Sequence, residues 1–138
     1  MKLTIDRKER IMLGGVEQTI HIWGTNMSNP VVLFLHGGPG IPNRHGMAVR
    51  HMDLTDDFTI VAWDQRGTGG SYFGCDPQSL TLEQLIADCA QLLQYLCKTL
   101  NKKKIFLLGA SWGTELGTFV CQRHPELVAG YIGYGQVV

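Results

Sequence analysis

The run Val31-Val32-Leu33-Phe34-Leu35 constrains the fold more than any other part of this sequence. Five apolar residues in succession, preceded by Pro30 and stopped by His36-Gly37-Gly38-Pro39-Gly40, have the length of a strand and are apolar on both of its faces. Such a strand must be covered above and below, the situation found inside a parallel sheet. A parallel sheet needs crossover segments, and the rest of the chain alternates strand and helix signals in the order that supplies them.

Glu9 to Leu13 and Gln18 to Trp23 flank Gly14-Gly15-Val16 and predict an N-terminal hairpin. After the central run, the sequence predicts a short helix from Arg44 to Leu54 and a strand from Phe58 to Trp63. The best helix runs from about Thr81 to Leu100, where Leu82, Leu85, Ile86, Cys89, Leu92, Leu93, Leu96 and Leu100 recur at spacings of three and four. Thr81 with Gln84 forms a candidate capping box, and Lys102 to Lys104 reads as a solvated turn. A strand from Ile105 to Leu108, a helix from Trp112 to Arg123 ended by Pro125, and a last strand from Ala129 to Tyr134 complete the pattern. The class is α/β: right-handed crossovers, a mainly parallel sheet with helices on both faces, and a hairpin in front.

Composition bounds the partners. The chain has 138 residues with 12 basic and 12 acidic side chains and a hydrophobic fraction of 44%, which describes one globular unit without a basic field for nucleic acid or an anionic membrane. No apolar run is long enough to span a bilayer. Lys2, Asp6, Arg7, Lys8, Glu9 and Arg10 occupy the region where a signal peptide would be apolar, so a cytoplasmic location is expected. Cys75, Cys89, Cys97 and Cys121 form no C-x-x-C pair and have no metal-ligand spacing to the five histidines. They read as small buried hydrophobes in a reducing compartment, and neither a metal nor another cofactor is expected.

Three glycine-rich segments could carry chemistry. Gly109-Ala110-Ser111-Trp112-Gly113 fits G-x-S-x-G between a predicted strand and a predicted helix. That is the context of a nucleophile elbow, a strained turn that needs small residues two positions either side of the serine. Ser111 is the candidate nucleophile, and the Trp112 amide would point at a developing oxyanion. His36-Gly37-Gly38-Pro39-Gly40 follows the central strand and would supply the second amide of an oxyanion hole. Gly38 is the candidate, with Pro39 fixing the turn, and His36 reads as a structural residue at the strand end. Asp64-Gln65-Arg66-Gly67-Thr68-Gly69-Gly70-Ser71 meets neither nucleotide-binding fingerprint, so Asp64 and Arg66 are expected to tie loops together at the carboxyl edge of the sheet.

Taken together, in this order and spacing, the three motifs resemble the α/β-hydrolase superfamily. More narrowly they are similar to its proline iminopeptidase branch, which combines an H-G-G-P-G loop, a D-Q-R-G-x-G-x-S loop and a G-x-S-W-G elbow. The likeness runs from about residue 9 onward. Ala110 stands where that branch often carries glycine, and Glu115 puts a charge in the first turn of the elbow helix; both weigh against strict prolyl specificity. The resemblance implies a serine hydrolase of the aminopeptidase type that releases N-terminal residues from small peptides. An esterase, lactonase or amidase on the same fold is the alternative, and a non-catalytic fragment that associates with a partner chain is a third reading. Epoxide hydrolases and dehalogenases are disfavoured, because they place a carboxylate where Ser111 stands. Similar H-G-x-P loops also imply a cis bond between Gly38 and Pro39.

In this superfamily the acid and then the histidine follow the nucleophile. After Ser111 the sequence holds one histidine, His124, and two carboxylates, Glu115 and Glu126. At 1.5 Å per helical residue His124 lies about 20 Å from Ser111, too far to act as its base. Glu115 follows no later strand and is a poor acid. The expectation is that residues 1–138 form the N-terminal part of a single α/β-hydrolase domain, truncated after about the sixth strand. The catalytic acid and base, the lid and the C-terminal strands would then lie outside the chain. The last strand would be an open edge prone to self-association, with apolar surface exposed around Trp112, Leu116 and Phe119.

Overall fold

In the computed structural model, which describes residues 2–138, six strands form one sheet in the order β1-β2-β4-β3-β5-β6. The strands are β1 (Ile5–Leu13), β2 (Val16–Gly24), β3 (Val31–Leu35), β4 (Thr59–Asp64), β5 (Ile105–Ala110) and β6 (Val128–Tyr134). The helices are α1 (Arg44–Arg50), α2 (Leu82–Thr99) and α3 (Trp112–Arg123). Strands β4, β3, β5 and β6 are parallel neighbours, whereas the β1–β2 hairpin joins β4 antiparallel through β2. This is the mainly parallel, doubly covered α/β sheet with an N-terminal hairpin that the sequence implies.

The central apolar run is buried on both faces. Leu33 and Leu35 join Val61, Trp63 and Ile105 in a large cluster with Leu85, Cys89, Leu92, Leu93 and Leu96 of α2 and Leu116 and Val120 of α3. Phe34, Ile60 and Ala62 face the other way, onto Met47 of α1. Alternate residues of β3 and β4 therefore serve two different cores, which is why neither strand shows a polar face.

Several boundaries differ from the sequence reading. The hairpin turn is only Gly14-Gly15, both at positive φ (56° and 79°), the signature of a two-residue primed turn; Val16 already pairs with Leu13. The helix expected to reach Leu54 stops at Arg50. At His51 the backbone leaves helical φ, and Met52–Asp56 continues as a 3₁₀ turn that lets Met52 pack on the smaller core. Thr81 caps α2 by accepting from the Gln84 amide, but the Gln84 side chain turns to Asp88 rather than back to Thr81, so the capping box is half formed. Only Cys89 is fully buried; Cys97 and Cys121 pack at the rim of the large core and Cys75 lies in the loop before α2. Leu116 is fully buried, and Trp112 and Phe119 pack partly against the core, so the expected exposed patch is not there. Exposed apolar side chains occur instead on β6, at Ile132 and Tyr134, and in the loop at Tyr72 and Phe73.

One buried ion pair locks the hairpin to α2. Arg66 Nε and Nη2 donate to the two carboxylate oxygens of Asp88 at 2.7 and 3.0 Å, with both side chains almost wholly excluded from solvent. Gln18 Nε2 and Gln84 Nε2 fill the remaining lone pairs of Asp88, and Gln18 Oε1 accepts from the indole of buried Trp63. Arg66 Nη2 also donates to the carbonyls of Leu13 and Gly14 at the hairpin turn. Breaking such a pair from one side strands a buried charge. Asp88→Ala or Arg66→Met is expected to destabilise the fold by about 3–5 kcal/mol in urea unfolding, and Arg66→Met combined with Asp88→Leu by markedly less than the sum.

Candidate active site

Three loops leave the carboxyl ends of β3, β4 and β5, the edge at which open α/β sheets bind ligands. They hold the three motifs singled out in the sequence: residues 36–43, 64–71 and the turn at Ser111.

Ser111 is the single residue between β5 and α3. It has φ 52° and ψ −120°, one of two non-glycine positions at positive φ among the described residues, and its side chain is exposed and makes no capping bond. A branched or bulky side chain is strained there, and a sharp turn of this kind is held only by its surroundings. The surroundings are explicit. Ser111 N–H donates to the Tyr134 carbonyl of β6 at 2.8 Å, and its own carbonyl accepts from the Thr114 amide and hydroxyl. A methyl group at Gly109 would meet the Gly113 carbonyl at 2.7 Å, and one at Gly113 would overlap the Leu35 carbonyl. The two glycines flanking the turn thus allow β5 to reverse into α3 and α3 to sit directly on the end of β3.

The loop after β3 comes up against this turn. A Cβ on Gly37 would lie 3.1 Å from the Ser111 Cβ and 3.6 Å from the Trp112 nitrogen, so backbone alone fits there. Gly37, Gly38, Ile41, Ala110 and Ser111 bound a cavity of about 330 Å³ with Phe34 and Asn43. The amides of Gly38 and Trp112 donate to nothing within the described residues, Trp112 being the first residue of α3. Ile41 N–H closes the loop onto the Gly37 carbonyl at 3.1 Å, and the Gly38–Pro39 bond is cis. The start of α3 also carries the positive end of the helix dipole.

His36, Asp64 and Arg66 shape the loops. The fixed donor Gln65 N–H points to His36 Nε2 at 3.1 Å, which assigns the ring proton to Nδ1, and that nitrogen donates to the Gly37 carbonyl. Gln65 Nε2 returns a bond to the His36 carbonyl. Asp64 Oδ2 accepts from Gly70 N–H at 2.9 Å and from Arg44 Nε at 3.2 Å, joining the second loop to the start of α1, while Oδ1 is buried without a protein partner. His36 is therefore a strut between two loops, with no ring nitrogen left for proton transfer at Ser111. His124 caps the far end of α3, beside Glu126. Among the described residues, no three His, Cys, Asp or Glu side chains converge as a metal site would require, and no helix is long and apolar enough to cross a membrane.

The sequence pattern of the α/β hydrolase fold family matches residues 30–136. The chain belongs to that family. Among α/β-hydrolase relatives it is 38% identical over 138 residues to Probable aminopeptidase YbaC of Bacillus subtilis (strain 168), covering 99% of this chain and 43% of that one. It is 32% identical over 120 residues to a proline iminopeptidase of Lactobacillus acidophilus, covering 86% of this chain and 40% of the relative. The chain thus spans about two fifths of the length of these relatives. Among solved α/β-hydrolases, an epoxide hydrolase of Vigna radiata superposes with a TM-score of 0.76 at 26% identity, over 93% of this chain and 39% of that one. A proline iminopeptidase-related protein of Thermus thermophilus does so with 0.72 at 25%, over 96% and 44%.

Asp88 and Gln65 are the site-supporting residues that sequence reasoning missed. Asp88 lies inside the apolar stripe of α2, and a lone carboxylate there was the available signal that Arg66 is paired within the protein rather than free for a ligand.

Burial holds the His36 imidazole below its ordinary value, against the smaller opposing pulls of the Gly37 carbonyl and the Asp64 charge. The unfolded chain therefore binds a proton at His36 that the folded chain refuses. Stability from this residue is fully present above about pH 6.5 and is lost as pH falls from there through the lower folded-state value. Urea unfolding from pH 8 to 5 should show the wild type losing its advantage over His36→Asn on the acid side; parallel curves for the two would contradict a neutral, buried His36.

Proposed function

We propose that this α/β-hydrolase chain carries the nucleophile and oxyanion site of a serine hydrolase of the aminopeptidase type, similar to proline iminopeptidases and acting on the N-terminal residue of small peptides. The observation that carries the reading is Ser111. It is exposed at φ 52° at the start of α3, and it bounds one cavity with Gly38 while the Gly38 and Trp112 amides remain unused by the fold. Ser111 Oγ attacks the scissile carbonyl and gives its proton to a histidine supplied by residues outside these 138. The resulting oxyanion accepts from the amides of Gly38 and Trp112. Collapse of the tetrahedral species expels the leaving amine, which takes the proton back, and water then releases the acyl group by the same steps.

A serine at this turn favours acyl transfer over epoxide opening, although an epoxide hydrolase is among the similar structures. Attack by a serine on an epoxide carbon would leave an ether that water does not cleave, whereas a carboxylate leaves a hydrolysable ester. The names of the relatives direct the reading to aminopeptidase chemistry, and esters, lactones or amides on the same scaffold are the second choice. The four unpaired cysteines suit a reducing cytoplasm. β6 pairs on one side only among the described residues, and its free edge suits an added strand from further polypeptide or from a second copy.

The 138 residues alone should hydrolyse neither prolyl or leucyl amides nor short acyl esters above background, since loss of a triad member costs about 10⁴ in rate. Co-expression with the part of an aminopeptidase relative that this chain does not cover should restore hydrolysis of the amides, and Ser111→Ala should abolish it. Hydrolysis that survives Ser111→Ala would overturn the assignment, and cleavage of esters alone would move it to the second choice.

A further inference from the structure

The loop after β3 is tied to the end of β4 at two points. At its root, the backbone and side-chain nitrogens of Gln65 donate to His36 Nε2 and to the His36 carbonyl. At its far end Arg44 opens α1, and its Nε donates to Asp64 Oδ2 at 3.2 Å. The last residue of β4 and the one after it thus hold the two ends of one loop, and Gly38 lies between them. Resting on the reading of Gly38 as an oxyanion donor beside Ser111, we propose that Arg44 and Asp64 are a positioning pair: their bond sets where the 36–43 loop lies against the 110–112 turn, and through it the rate of the Ser111 reaction.

Between its ends the loop has little to hold it. Among the described residues, Ile41 N–H to the Gly37 carbonyl is the one backbone bond made within it, and Gly38 and Gly40 stand at φ 118° and 91°. Glycine loses more conformational freedom on ordering than any other residue, so a segment with glycine at 37, 38 and 40 keeps one geometry only if both of its ends are fixed. The far end meets the second loop closely. A Cβ on Gly69 would lie 2.7 Å from Asp64 Oδ2 and 3.3 Å from Pro42 Cγ, so this glycine admits the carboxylate and the end of the first loop to the same place. Asp64 Oδ2 is itself aimed by the Gly70 amide, which donates to it at 2.9 Å.

The bonding of the pair suits placement better than stability. Both side chains are withdrawn from water, Arg44 to 12% exposure and Asp64 to 2%, and a buried pair joined by one bond returns little net free energy. Arg66 and Asp88 join through two nitrogens and fill the carboxylate, whereas Arg44 uses Nε alone, its Nη atoms have no partner among the described residues, and Asp64 Oδ1 is buried without one. A contact made at one donor atom does not need the guanidinium fork. Lysine at position 44 can therefore keep the link to Asp64, which distinguishes this pair from Arg66–Asp88.

The test compares the wild type with Arg44→Lys and with Arg44→Met combined with Asp64→Asn, which removes both charges and leaves an oxygen to accept from Gly70. Amide hydrogen exchange followed by ¹H–¹⁵N NMR reads the loop directly. The double variant should lose about tenfold of the protection of the Ile41 amide, while the Thr114 and Leu100 amides and the urea midpoint stay as in the wild type, and Arg44→Lys should keep the Ile41 protection. In the enzyme completed with the part of an aminopeptidase relative that this chain does not cover, the double variant should lower kcat on leucyl amide about tenfold or more at unchanged KM, and Arg44→Lys should retain it. Unchanged Ile41 protection, protection lost equally at Thr114 and Leu100, a wild-type kcat in the double variant, or a lysine variant as impaired as the double one would each overturn the proposal. Exchange requires no reaction, so its outcome bears on the pair alone, and the Ser111→Ala hydrolysis assay bears on the nucleophile.

Discussion

The pairing of Arg66 with Asp88 governs how the site is assembled. Three segments that are far apart in the chain, the hairpin turn, the loop after β4 and the middle of α2, meet at these two charges. A buried ion pair is a poor source of net stability, since desolvation consumes most of the attraction. Its value here is geometric. The guanidinium fork fits one carboxylate in one orientation, and Gln18 and Gln84 complete the carboxylate so that no other arrangement of the three segments satisfies it. Once Arg66 is fixed, Gln65 beside it is fixed as well, and Gln65 holds His36 by two bonds at the root of the glycine loop.

A second constraint is steric and works at the opposite end of that loop. The approach of α3 to β3 is so close that Gly113 can carry no side chain, and the reversal from β5 into α3 excludes one from Gly109. These contacts fix the direction of the first turn of α3, hence the direction of the Trp112 amide. The His36 and Gln65 bonds fix the loop that carries Gly38. The two segments that carry the proposed donors are thus set by independent parts of the fold, one by hydrogen bonds and one by packing.

Much of this was legible in the sequence, for reasons that differ by element. The Val31–Leu35 run could be nothing but a strand covered on both faces, and the 3,4-spaced leucines of α2 could be nothing but a helix facing a core. The strand-to-helix context of Ser111 was readable because Gly109 and Gly113 are where contact demands them. Harder to see were features decided by tertiary partners. Arg66 alone does not announce Asp88, which lies 22 residues later in an otherwise apolar stripe. The end of α1 at Arg50 depends on where Met52 finds its core, and the burial of Leu116 depends on β3 and β5 both lying beneath α3. Periodicity reports which face is apolar but not what covers it.

The division of labour between local and distant contacts bears on the chemistry. Every contact that strains Ser111 and closes the glycine loop is made among β3, β4, β5, β6, α3 and the loops between them, so under the proposed reading the half of the site that would receive a carbonyl rests on these elements. The proton-transfer half is different in kind. Under the proposed reading a base must come from elsewhere, because both ring nitrogens of His36 are committed and His124 lies at the far end of α3. An oxyanion site built first and independently can bind a carbonyl without reacting with it. In such an arrangement the proton-transfer groups limit the rate, and selection among carbonyl compounds follows from contacts made in the transition state rather than from carbonyl binding alone.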